Sequence, residues 1–129
     1  MINKITREIK LIDFGSTMPL TNNQSDKFYG TLKFAAPESL NGKSYLLGPQ
    51  EVWTLGNLLF GLVFRSDPFE SEEETANLDV KRKMKLLGKS DTRMKATKNC
   101  IAAITAMLIK DPLQRIAMDD ISNLKFFRD

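Results

Sequence analysis

Histidine is absent from the 129 residues, and cysteine occurs once, as Cys100. The first absence excludes imidazole acid–base chemistry and histidine metal ligation within this chain. The second excludes an intramolecular disulfide, and one thiol without any imidazole leaves a structural zinc ion no ligand set. Cys100 precedes an apolar run, which suits a small buried residue. Long apolar stretches are missing too. The longest, from Val52 to Phe64, falls short of the ~20 residues that a bilayer span needs, and Thr54 and Asn57 interrupt it. Residues 1–10 mix Lys4, Arg7 and Lys10 with Glu8 and hold no apolar stretch of the signal-peptide kind. A strong charge of one sign is also lacking. The net charge of +3 is too mild for a nucleic-acid-binding signature. The expectation is a soluble, intracellular, cytoplasmic protein with neither a nucleic-acid nor a membrane partner.

What is present fits one globular domain by length, with an ordinary balance of apolar and charged residues. Residues 8–14, Glu-Ile-Lys-Leu-Ile-Asp-Phe, alternate as a short strand does, and Gly15 ends them. From Ser16 to Lys33 the residues are mostly small and polar, with Pro19, Asn22, Asn23 and Gly30, which predicts a long loop. Residues 35–40 hold a short helical turn. Val52 to Phe64 is apolar on nearly every side and predicts a helix buried all round, ended by Asp67-Pro68. Ser71 with Glu74 three residues on matches the capping-box pattern of a helix start. A basic stretch, Lys81 to Lys85, follows and stops near Gly88. Ile101, Ile104, Met107 and Leu108 recur at helical spacing, and Ile116, Ile121 and Leu124 predict a last short helix before Phe126-Phe127. The fold class expected is mainly α.

Three blocks fall in order along this plan. Asp13-Phe14-Gly15 ends the predicted strand, Gly30-Thr-Leu-Lys-Phe-Ala-Ala-Pro-Glu38 closes the loop, and Glu51-Val-Trp-Thr-Leu-Gly56 opens the buried helix. Together they resemble the second half of a eukaryotic-type protein kinase domain: the Asp-Phe-Gly motif, the activation segment, the Ala-Pro-Glu motif and the helix beyond. Asp67-Pro68-Phe69, Lys110-Asp-Pro-Leu-Gln-Arg115 and Phe126-Phe127 extend the likeness to the end of the chain. The resemblance implies a partial kinase domain over residues 1–129: a short N-terminal strand, an activation segment at 13–38, and C-lobe helices from 39 onward.

The same resemblance assigns roles. Asp13 would bind the Mg²⁺ that bridges the phosphates of ATP, a hard oxygen ligand for a hard cation; its plain alternative is a turn-forming aspartate before glycine. Phe14 would pack beneath the nucleotide and Gly15 would permit a backbone flip. Glu38 and Arg115 would form a partly buried bidentate pair holding the activation segment to the C-lobe, or each is simply a solvated charge. Trp53 belongs to the central helix. Thr31 would hydrogen-bond the catalytic loop and points to Ser/Thr rather than Tyr substrates. Phe34 and Glu51 depart from the usual Tyr and Asp. Glu51, Ser16 and the run from Leu58 to Phe64 are similar to PAS-domain kinases, in the calcium/calmodulin-dependent kinase-like group. Thr21 and Ser25 are candidate phosphosites, or ordinary loop hydroxyls. The Lys81–Lys85 run reads as a solvated helix face, with nuclear localisation or binding of an acidic substrate as the sharper reading.

Only Met1 to Ile12 precede Asp13, so this chain carries no glycine-rich loop, no strand lysine and no catalytic-loop aspartate of the family. By itself it is expected not to transfer phosphate and to fold poorly, with apolar surface open to water. A longer chain or a partner kinase would supply the missing lobe. The alternative is a non-catalytic, kinase-derived binding module or a remnant.

Overall fold

A computed structural model describes residues 1–19, 23–90 and 96–128. Its centre is helix α1, Leu47–Phe64. The helix begins five residues earlier than apolarity alone predicts, because Pro49 lies in the first turn, where a missing N–H costs nothing. It ends at Arg65, which adopts the left-handed conformation (φ 51°, ψ 33°) and donates its N–H to Gly61 O at 2.9 Å. Helices α2 (Glu72–Asn77), α3 (Val80–Ser90), α4 (Lys98–Met107) and α5 (Lys125–Arg128) follow. Short 3₁₀ turns lie at Phe14–Ser16, Leu32–Phe34, Pro37–Leu40 and Met118–Asn123. The chain is mainly α, as its sequence indicates.

Helices α2, α3 and α4 each start at a capping side chain. Ser71 Oγ accepts the Glu74 N–H at 3.1 Å. The Glu74 carboxylate reaches back to the N–H of Glu70 at 2.9 Å, one residue ahead of the capping serine. Asp79 caps α3 by accepting the Lys81 N–H at 2.9 Å, and Thr97 caps α4 by accepting that of Cys100 at 3.2 Å.

The core is built on one side of α1. Trp53, Phe60 and Phe64 pack with Phe69, Val80, Met84, Cys100, Ile104 and Leu108. Trp53 and Phe69 stack with centroids 5.1 Å apart and planes at 11°. α1 and α4 approach so closely at Gly56 that a Cβ there would lie 2.8 Å from Leu108 Cδ2 and 2.9 Å from Met107 Cβ.

Two expectations need correction. The strand over residues 8–14 is not formed: the N-terminal segment folds on itself with one antiparallel bridge, Ile2 to Ile9, because only residues 1–3 pair with it, through Asn3 N to Glu8 O and Lys10 N to Met1 O, and that contact is too short for a ladder. The only two-stranded pairing among the described residues joins β1 (Gln24–Ser25) to β2 (Tyr45–Leu46). Nor is α1 buried all round. Leu55, Leu58 and Leu62, spaced three and four apart on one face, remain exposed, the last two by 57% and 72%. No described helix is long and apolar enough to cross a membrane.

Candidate functional site

Several of the residues singled out in the sequence gather in two places beside the first turns of α1. One is an open cleft, lined among others by Asp13, Thr31, Phe34, Gln50, Glu51 and Thr54. The other is a buried latch around Arg115.

In the cleft, Asp13 sits in the left-handed region at φ 64° and ψ 72°. Aspartate tolerates that conformation at modest cost, and such strain collects at functional sites. Its carboxylate is exposed and makes no ion pair among the described residues. Thr31 turns the chain into the Leu32–Phe34 turn through its carbonyl and uses no side-chain hydrogen bond there. Glu51 enters the same cleft, exposed, from the first turns of α1. Phe14 faces solvent over 65% of its surface.

No cluster of three or more His, Cys, Asp or Glu able to hold a metal occurs among the described residues. A single free carboxylate still fits Mg²⁺, which keeps several waters and takes one or two protein carboxylates plus phosphate oxygens.

Gln50 carries the cleft's wall and is the residue that sequence reasoning missed. It is buried, and its Oε1 accepts the Ala36 N–H at 2.9 Å and the Ser39 hydroxyl at 2.7 Å. Its Nε2 donates to Phe34 O at 3.3 Å and Thr54 Oγ1 at 3.1 Å. The backbone on both sides of Ala35 is thereby fastened to α1. Thr54 and Asn57, four and seven residues on, share its side of the helix and are polar as well, so no local signal in the sequence set Gln50 apart.

The latch is more deeply buried. The Arg115 guanidinium is fully covered, while Glu38 keeps 13% of its side chain exposed. Arg115 donates five hydrogen bonds: to both carboxylate oxygens of Glu38 at 2.5 and 3.0 Å, and to the carbonyls of Pro49, Ile109 and Lys110. Its guanidinium also lies 4.9 Å from the Trp53 ring centroid. One planar cation thus joins the 3₁₀ turn that holds Glu38, the start of α1 and the loop after α4. A weaker tie, Lys33 to Asp67 at 3.1 Å, is half exposed at both ends.

Of the candidate phosphosites, Ser25 is half-buried in β1; its hydroxyl donates to Lys27 O at 2.7 Å and accepts the Lys27 N–H at 3.2 Å. Thr21 lies outside the described residues. Beside Ser25, burial raises the Tyr45 phenol above its usual range, and the Ser25 side chain partly offsets this. The Tyr45 hydroxyl donates to Lys27 O at 2.9 Å. The Lys81–Lys85 run is not uniformly solvated: Met84 is buried, and Lys83 is paired with Glu70 and Glu74.

The protein kinase domain family model matches residues 1–127. Among similar proteins is the serine/threonine-protein kinase PSK1 of Saccharomyces cerevisiae, 34% identical over 92% of this chain and 8% of its own length. PSK2 of the same yeast is 31% identical over 93% of this chain and 10% of its own length. The serine/threonine-protein kinase ppk6 of Schizosaccharomyces pombe is 35% identical over 93% and 14%. The chain thus spans a small fraction of the length of these curated relatives. It belongs to the protein kinase domain family, on its serine/threonine side, and carries the part of that domain that runs from the Asp-Phe-Gly motif onward.

Proposed function

We propose that this chain is the C-terminal portion of a serine/threonine kinase domain whose complete form transfers the γ-phosphoryl group of ATP to a protein Ser or Thr hydroxyl. The observation that carries the reading is the convergence of Asp13, Thr31 and Glu51 on one cleft whose wall is fastened by Gln50. Asp13 is the ligand offered to Mg²⁺, and the ion would neutralise the charge on the phosphates it bridges. Thr31 offers an unused hydroxyl to the segment bearing the catalytic aspartate. The Glu38–Arg115 latch keeps the activation segment in register with α1, where a protein substrate would lie. The domain plan is the activation segment at 13–38 and C-lobe helices beyond. Glu51, Ser16 and the Leu58–Phe64 run favour PAS-domain kinases as the nearer group, and a cytoplasmic location goes with that reading.

Alone, these 129 residues lack the general base and most of the nucleotide pocket, so they do not transfer phosphate; a longer chain or a partner kinase supplies those parts. A second reading, a non-catalytic module that binds a kinase, is favoured by one observation, the open Leu55–Leu58–Leu62 face that a partner would cover. The test is phosphate transfer from radiolabelled ATP to a generic Ser/Thr substrate, by this chain and by the longest native polypeptide that contains it. Transfer by the longer form only, abolished by Asp13→Asn, supports the kinase reading. A native polypeptide no longer than this chain, inactive and bound to a kinase, supports the module.

A further inference from the structure

The basic run on α3 has a second feature beside its charge. Between α3 and α4 lies a groove lined by Phe64, Met84, Gly88, Ala96 and Ile101, with Lys81 and Lys85 also in its lining. Phe64 and Met84 are buried and form its floor. No acidic residue lines it among the described residues. Lys81 and Lys85 are one helical turn apart, which sets their Cβ atoms ~6 Å from each other on one face. Both are exposed, and neither makes an ion pair among the described residues. Lys83 is different. Only 14% of its side chain is exposed, and Glu70 and Glu74 hold it at 3.2 and 3.6 Å. Glu70 and Glu74 are thus engaged by Lys83, the Asp79 carboxylate caps the start of α3, and Lys81 and Lys85 stay without an ion pair among the described residues, beside an apolar floor.

We propose that this groove docks a protein segment that presents an apolar side chain flanked by carboxylates. The apolar floor takes the anchor, and Lys81 and Lys85 take the acidic neighbours, so charge sets the partner and the floor supplies the anchoring contact. A concave site between two helices, with its apolar surface at the bottom, fits a peptide better than a flat anionic membrane, which would meet the lysines and not Phe64. Among the described residues the groove shares no lining residue with the Asp13 cleft. Glu51 and Phe64 are thirteen positions apart on α1, about 20 Å at the helical rise. A partner held in the groove therefore leaves the cleft open, and the surface recruits rather than blocks.

The test is fluorescence polarisation of the 129-residue chain with a labelled acidic peptide, GEELDFEELG, and its lysine counterpart, GKKLKFKKLG. The acidic peptide should bind roughly tenfold more tightly than the basic one, with affinity falling as salt rises. The double variant Lys81→Glu, Lys85→Glu should reverse that preference; both residues are exposed, and circular dichroism checks that the helices persist. A photo-crosslinker placed at Ile101, on the groove wall, should capture the acidic peptide. Equal affinity for both peptides, an unchanged preference in the double variant, or no capture at position 101 overturns the proposal. So does lysine-dependent binding to phosphatidylserine vesicles without binding to the peptide.

Discussion

Glu38 and Arg115 are 77 residues apart in sequence and meet through two hydrogen bonds of 2.5 and 3.0 Å. The arginine also spans three carbonyls and covers the face of Trp53. A buried cation with every N–H occupied resists exchange for any other residue, because each lost partner leaves a carbonyl or a charge without water.

Glu38→Ala should therefore destabilise the chain by about 3–5 kcal/mol, since it strands a buried guanidinium. Arg115→Lys should also be costly, because an ammonium cannot reproduce the planar fork. Urea unfolding followed by Trp53 fluorescence measures both. A loss under about 1 kcal/mol, the range of an exposed pair, would show that the latch does not hold the fold.

Gly56→Ala places a methyl 2.8–2.9 Å from Leu108 and Met107. Overpacking at a helix crossing costs about 1–3 kcal/mol, which outweighs or at least cancels the ~1 kcal/mol that Ala gains over Gly in helix propensity. A shortened partner should relieve it: with Leu108→Ala in the background, Gly56→Ala should cost less. Strict additivity of the two changes would count against the crossing as the cause.

Burial raises the Cys100 thiol above its ordinary 9.0. An unfolded chain loses that proton near pH 9.0 while the folded chain keeps it, so the folded state then holds more protons. This contribution is complete below pH 9.0 and fades as pH climbs through the raised folded value. Lys110 acts the other way near 10.5, because burial lowers its ammonium. The comparison that isolates the thiol is wild type against Cys100→Ala. The variant, less stable at neutral pH through its cavity, should lose less on going from neutral pH to just below pH 10. Parallel stability curves would mean the thiol is not buried in solution.

Leu58→Lys with Leu62→Lys should change stability by no more than about 0.5 kcal/mol, since neither side chain packs on the core. The same pair should sharply reduce self-association in light scattering, because the wild-type stripe offers a ready apolar face. Wild-type chain that stays monomeric at high concentration and unfolds cooperatively would remove the stripe as a liability.

Local chemistry was legible from residue order alone. Ser71 and Glu74 announce a helix start because a cap depends on neighbours three residues apart. The basic and apolar periodicities located α3 and α4, and the Asp-Phe-Gly, Ala-Pro-Glu and Trp blocks placed the chain in its family. The pairing of Glu38 with Arg115 was legible only through that likeness. Nothing in the intervening residues marks two charges as partners. Gln50 was not legible at all: a glutamine is usually solvated, and only the arrival of Ala36, Ser39 and Phe34 around it makes it the fastening of the cleft wall.

The tertiary structure alone decided exposure. Alternation in residues 8–14 described a strand, but strands are completed by partners, and the segment settled for one bridge between Ile2 and Ile9. Apolarity in residues 52–64 described a buried helix, yet burial depends on what lies alongside, and Leu55, Leu58 and Leu62 face water. The division follows from the range of the forces. Capping, turn and helix preferences act over a few residues and are written in their order, whereas burial, ion pairing and sheet formation depend on contacts between distant segments, which exist only once the chain has folded.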